Sequence, residues 1–286
     1  MPELVCIGNL TVDEARQPDG SRAISAGGDA VFAALAARRY LADVRILAPL
    51  GFDLPEELSD AIRLAGSLPE DQPHRELPTV RNIIRYDRAG GRTWELVEGE
   101  QHFDAMSVYP KDVPESVLDA DGILISAMSF ESQVALVPWL RKHSAATLYL
   151  DLQEDYLENS DALMSLIGCC DVFLPSEVEA TTLARTNDLW AAAQFFRDHG
   201  PETVVIKRAA KGCLVLAPGN EEQIVIPAVA VTAVDSTGAG DAFCGAFAAV
   251  HLRTGDPIEA ARAGAAAAAI AISGFGIDAL VRQAAA

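Results

Sequence analysis

Apolar runs of strand length recur along the chain and alternate with stretches of helical pattern. Residues 3–8 read as a short buried strand, 30–41 has the Ala, Leu and Arg composition of a helix, and 44–48 is again a strand. This is a β-α-β opening. Pro55 begins a further helix that runs to about 65. Apolar runs at 122–126, 147–151, 171–174, 203–207 and 213–217 predict strands, and helical stretches at 132–143, 177–185 and 189–199 separate most of them. Such alternation predicts an α/β fold, a three-layer sandwich around a mostly parallel central sheet, with ligands beyond the carboxyl ends of its strands. The alanine-rich stretch 260–271 predicts a closely packed helix.

Two segments break that rhythm. Residues 14–25 are polar and turn-rich, and 80–97 alternate around Ala89, Gly90 and Gly91 as a hairpin would. Together they predict a small sheet over one end of the core, placed as a lid would be. Arg81 and Arg85, four apart on one strand, share a face. Solvent exposure is the favoured reading for them, and a phosphate clamp is the alternative.

Composition narrows the partners. The 286 residues are half hydrophobic and carry 41 acidic against 22 basic side chains, a formal net charge of −19. With no run of Lys and Arg longer than two, the chain is a poor partner for nucleic acid or anionic lipid. The longest apolar stretches, 242–250 and 263–272, fall short of the ~18–20 residues a membrane span needs. The first residues enter a strand without the basic region and apolar stretch of a signal peptide. Cys6, Cys169, Cys170, Cys213 and Cys244 form no C-x-x-C pair. A cytoplasmic protein with reduced, mostly buried thiols is expected.

The segment richest in chemistry runs Asp235-Ser-Thr-Gly238-Ala239-Gly240-Asp241 and leads into a run of small apolar residues. Small residues let the backbone turn tightly, and the run after them predicts a helix whose first amides point outward, where they favour an anion. Asp241 stands at the mouth of that cradle. A carboxylate there can take a proton from an alcohol while amides hold the transferring phosphoryl group. A dinucleotide fingerprint would need glycine where Phe243 stands, and the Gly-Lys-Ser/Thr ending of a phosphate-binding P-loop is absent.

On these residues, together with Gly27-Gly28 before a helix, Gly51-Phe52-Asp53, and Gly8-Asn9-Leu10-Thr11-Val12-Asp13, the chain resembles the ribokinase family of sugar kinases. The resemblance covers nearly the whole chain. It implies one ribokinase-like unit over 1–286 with a β lid formed from about 12–26 and 78–104. It also implies transfer of the ATP γ-phosphoryl group to a hydroxyl of a small polyhydroxylated substrate, with Mg²⁺. Carried over by position, Asp241 is the base and Gly238, Ala239 and Gly240 the anion hole. Asp13, Gly27, Gly28, Asp29 and Phe32 stand on the acceptor side. Ser176, Glu179, Lys207, Lys211 and Gly212 stand on the nucleotide side, with Glu179 also toward Mg²⁺. Asp235 lies where some members bind a monovalent cation such as K⁺. Lids of this kind also pair in homodimers.

Departures cluster on the acceptor and nucleotide sides. Phe32 replaces an asparagine, Leu41 a glycine that ends the next helix, Ser176 an asparagine, and Ala209 a glycine. An aromatic ring cannot hydrogen-bond a ribose hydroxyl, so Phe32 allows stacking on a less polar or cyclic face, and the Gly-Gly-x-x-x-Phe form resembles a branch similar to plant inositol kinases, which implies a cyclitol as a candidate. A nucleoside kinase and a non-catalytic sugar- or nucleotide-binding protein stay open as alternatives.

Overall fold

A computed structural model describes residues 1–87 and 92–284. From the N-terminus, β1 (Glu3–Ile7) leads to β2 (Thr11–Arg16) and β3 (Arg22–Gly27), then to α1 (Asp29–Ala37) and β4 (Asp43–Leu47). After α2 (Glu56–Leu64) come β5 (Val80–Tyr86) and β6 (Arg92–Leu96). The short helices α3 (Glu100–Ala105) and α4 (Glu115–Leu118) precede β7 (Gly122–Ile125), α5 (Phe130–His143), β8 (Thr147–Leu150) and α6 (Ser160–Ile167). The chain continues through β9 (Val172–Phe173), α7 (Glu177–Ala184), α8 (Leu189–Arg197) and β10 (Thr203–Lys207). A hairpin of β11 (Cys213–Ala217) and β12 (Asn220–Ile226) and the helices α9 (Ala239–Thr254), α10 (Pro257–Ala271) and α11 (Asp278–Ala284) complete it.

The main sheet has the strand order β12-β11-β10-β9-β8-β7-β1-β4. Its strands are parallel from β10 to β4, and β11 and β12 continue it antiparallel. Alternation along β1 divides the core: Leu4 and Cys6 join the layer that holds α1, α9 and α10, while Val5 and Ile7 join the layer of α5, α6 and α8. This is the predicted sandwich. The alanines and Gly245 let α1 and α9 touch, since a Cβ on Gly245 would lie 2.0 Å from the Ala33 carbonyl oxygen.

A second sheet, ordered β3-β2-β5-β6, forms the lid. Its central pair, β2 and β5, is parallel, and β3 and β6 flank it antiparallel. The expected turn at Ala89-Gly90-Gly91 lies outside the described residues. Three details depart from the sequence pattern. Helix α1 ends at Ala37 rather than 41, because the amides of Tyr40 and Leu41 both turn back to the Ala37 carbonyl and Leu41 tucks into the core. Helix α6 and edge strand β12 had no clear periodic signature. Helix α10 starts earlier than the alanine run, at Pro257, where Asp256 caps the amides of Ile258 and Glu259 at 2.8 and 3.1 Å. Among the described residues no helix is long and apolar enough to cross a membrane.

Candidate active site

The carboxyl ends of β8, β9 and β10 bring three sequence-distant groups together. Asp151 follows β8, Ser176 and Glu179 begin α7 just beyond β9, and Lys207 ends β10. Lys207 Nζ donates to both Asp151 oxygens, at 2.6 and 2.7 Å, and lies 3.4 Å from Cys244 Sγ. A Cβ built on Gly240 would have that Nζ as its nearest neighbour, at 3.7 Å. The ammonium therefore sits directly behind the glycine turn that opens α9. Burial alone would lower the Lys207 pKa, but Asp151, Cys244 and Glu179 together hold it above its ordinary value.

Helix α9 begins at Gly238, whose φ of 74° and ψ of 3° are left-handed. A Cβ there would also fall 2.2 Å from the Phe32 ring. Two independent constraints thus keep position 238 glycine, and a glycine cap brings no side chain to the first amides of α9. Phe32, expected to face the acceptor, is instead wholly buried beneath this turn. Its ring reaches the site by supporting Gly238. Asp241, in the first turn of α9, is partly exposed.

The lid supplies the opposite wall. In the parallel β2/β5 pair, Asp13 stands directly across from Asn82, whose Nδ2 donates to Asp13 Oδ1 at 2.9 Å. Asp13 is 4% exposed, and its Oδ2 lies 2.2 Å from where a Gly27 Cβ would be. Gly28, at φ 108°, lets the chain pass over Asn9 and Leu10 before Asp29 starts α1. Burial raises the Asp13 pKa to about 6; Thr11 and Asn82 oppose that shift, and the charges of Asp235 and Asp241 add to it. Burial, followed by the charges of Asp241, Asp151 and Asp13, pushes Asp29 upward as well. Asp13, Asp29, Asp235 and Asp241 therefore form a convergence of carboxyl groups.

Tyr86, two alternations beyond Asn82 on β5, donates its hydroxyl to Asp235 Oδ1 and lies 3.3 Å from Thr237 Oγ1. Arg81 and Arg85 point to the other face of β5. Arg81 pairs with Asp53 and Glu98, and Arg85 with Glu95 at 3.0 Å. Both are spent on neighbouring carboxylates, with Arg85 exposed as the favoured reading had it and Arg81 half-buried.

The nucleotide side is more self-paired than its basic sequence implies. Lys211 and Arg208 both contact Glu177, at 3.3 and 3.7 Å. Gly212 holds a φ of 82° in close contact with Ile226. Ala209, where the resemblance has glycine, sits at φ 47°, a left-handed conformation that glycine tolerates best. Ser176 and Glu179 make a reciprocal cap at 3.1 and 2.7 Å, with Ser176 Oγ also donating to Glu154 at 2.9 Å. Burial and then Asp151 push Glu179 up to about 8, against the pull of Lys207. Sequence reasoning noted Asp151 only as the start of an Asp-x-Asn-x-Arg-like element and missed Asn82 and Tyr86. Among the described residues there is no group of three or more His, Cys, Asp or Glu side chains arranged to hold a metal. Glu179 is 3% exposed, its Oε2 accepts from the Ser176 amide, and the charge of Lys207 acts on it.

Residues 90–283 match the model of the pfkB family of carbohydrate kinases. The chain is 30% identical over 266 residues to a cytidine kinase of Thermococcus kodakarensis, covering 91% of each. It is also 30% identical over 261 residues to the ribokinase of Haemophilus influenzae, covering 87% of this chain and 82% of that one. An E. coli protein crystallised with ATP and Mg²⁺ has the same fold, with a TM-score of 0.78, 20% identity and coverage of 99% of this chain and 100% of that one.

Proposed function

The chain belongs to the pfkB family of carbohydrate kinases, and from that premise we propose that it transfers the γ-phosphoryl group of ATP to a hydroxyl of a neutral ribosyl compound, a nucleoside or free ribose. The observation that carries this reading is the Asp13–Asn82 pair on the lid, with Asp241 close enough that its charge acts on both Asp13 and Asp29. A carboxylate and a carboxamide side by side can engage vicinal hydroxyls, accepting and donating at once. A ribosyl group is common to cytidine and ribose, the compounds named in the two relatives.

Asp13 and Asn82 would orient the acceptor, and Gly27 leaves room for the carboxylate to do so. Asp241 would accept the proton of the attacking hydroxyl. The amides of Gly238, Ala239 and Gly240 would hold the charge that develops on the transferring group, with Lys207 adding a fixed positive charge behind them. Mg²⁺, held toward Glu179, would neutralise phosphate charge when bound. The lid would exclude water, so that the phosphoryl group passes to the acceptor and not to solvent.

An ADP-release assay across cytidine, other nucleosides, ribose and a cyclitol tests the reading. Turnover is expected with ribosyl acceptors. Asp241→Asn should retain folding and ATP binding while kcat falls by about 10²–10⁴-fold. Normal turnover by that variant would remove Asp241 from the mechanism, and tight binding without turnover on every acceptor would favour a non-catalytic protein.

A further inference from the structure

We propose that Tyr86 is a positioning residue whose phenol docks on Asp235, occupies the place of a monovalent cation there, and ties the anion-binding turn to the lid. The proposal rests on the phosphotransferase reading above and concerns how its site is assembled.

The first support is the alternation of β5. Asn82 and Tyr86 share its inner face, about 13 Å apart at ~3.3 Å per residue. One rigid strand therefore touches the acceptor end of the site through Asp13 and the phosphoryl end through Asp235. The second is the state of the Asp235 carboxylate, which is 4% exposed. Its Oδ1 accepts from the Tyr86 hydroxyl and from the Thr237 amide at 2.9 Å, and its Oδ2 accepts from the Gly276 amide at 3.4 Å. A carboxylate offers about four lone-pair directions, so three donors leave little for a cation. The three donors direct hydrogens at this carboxylate and so compete with a cation for its lone pairs. The expectation of a cation at Asp235 therefore does not fit this arrangement, and no step runs through one.

The third support is connectivity. Asp235 is followed by Ser236, Thr237 and Gly238, so whatever fixes its carboxylate also fixes the turn that opens α9. On its far side the Val234 amide bonds to the Ile272 carbonyl at 2.8 Å, and Ile277 bonds back to Ala26 on β3 at 3.3 Å. The turn is held between the α10–α11 loop and the lid, and Tyr86 is the lid's polar contribution. Burial and the adjacent Asp235 both raise the Tyr86 pKa, which keeps the phenol protonated as the donor.

Tyr86→Phe removes one hydroxyl and keeps the ring. The thermal midpoint of each protein is measured in KCl and in tetramethylammonium chloride of equal ionic strength. The wild type should show the same midpoint in both salts, whereas Tyr86→Phe should melt several degrees higher in KCl, because K⁺ enters beside the vacated oxygen. In steady-state assays Tyr86→Phe should lose roughly 10- to 100-fold in kcat, with K⁺ restoring part of it, since small misplacements of reacting groups cost that much. An equal response to K⁺ in the two proteins, present or absent in both, overturns the proposal, as does a Tyr86→Phe kcat within about twofold of the wild type. A wild-type protein that phosphorylates no acceptor refutes the kinase reading instead, and the melting comparison still decides the role of Tyr86.

Discussion

A methyl group on Gly27 would lie 2.2 Å from Asp13 Oδ2 and 3.0 Å from Thr11 Oγ1, so the absence of a side chain is what lets the acceptor carboxylate lie over the start of α1. Gly27→Ala must move that carboxylate. It should lower kcat/KM for the acceptor by about 10- to 100-fold and leave KM for ATP nearly unchanged, a split that steady-state kinetics with each substrate varied in turn will resolve. The importance of Gly27 was legible as a glycine pair before a helix, and Ala209 was legible as a missing glycine, now found at φ 47°. The partners of the key carboxylates were not. Asn82 is 69 residues from Asp13, Tyr86 is 149 from Asp235, and Lys207 is 56 from Asp151. Nothing local in the chain marks such pairs, because they are created by strand order and register alone. Phe32 shows the converse: its position was read correctly in the motif, but only packing reveals that the ring supports Gly238.

Helix α7 illustrates what an element can be made to do. The Ser176-x-x-Glu179 pattern is visible in sequence as a capping box, and the cap forms at 3.1 and 2.7 Å. The cap also buries Glu179 close to Asp151, which raises its pKa to about 8, while Asp13 is raised to about 6. In the unfolded chain these groups titrate near about 4.3 and 3.9. Above those values the unfolded state has released protons that the folded state still binds, so stability from these two groups is greatest at low pH and falls as pH rises through about 6 and then about 8. The thermal midpoint of the ligand-free protein should therefore drop by several degrees between pH 5.5 and 8.5, and Glu179→Gln should flatten the upper part of that slope. A midpoint that rises over this range would contradict the assignment. The strand–helix alternation made β1, β4, β7, β8, β9 and β10 readable because buried parallel strands are continuous apolar runs, and the antiparallel β11 left the same trace because it too is buried along its length. Strand β12 lies at the sheet edge with a largely exposed, polar sequence, and so left no such trace.

At the scale of the molecule, the proposed reading asks a chain of net charge −19 to bind a polyanionic nucleotide. The basic turn seen in the sequence is largely spent on internal partners: Lys207 on Asp151, and Arg208 and Lys211 on Glu177. On the proposed reading, positive potential at the site would rest on the start of α9 and on an ion arriving with the nucleotide. Among the described residues, no cation offsets the carboxyl groups of Asp13, Asp29 and Asp241 where the reading puts the acceptor, and Arg81 and Arg85 face away. Ribose 5-phosphate should accordingly be a far poorer acceptor than ribose, by at least about 10²-fold in kcat/KM, and comparable rates would show that a cation reaches the pocket. The lid is assembled from two stretches of chain, 11–27 and 80–96, joined through the parallel β2/β5 pair with α1, β4 and α2 lying between them in sequence. A parallel pair needs such a crossover. Specificity therefore cannot be transplanted between relatives as a single cassette: a chimera that exchanges only one stretch sets a foreign residue opposite Asp13 or opposite Asn82, so both halves must be inherited together.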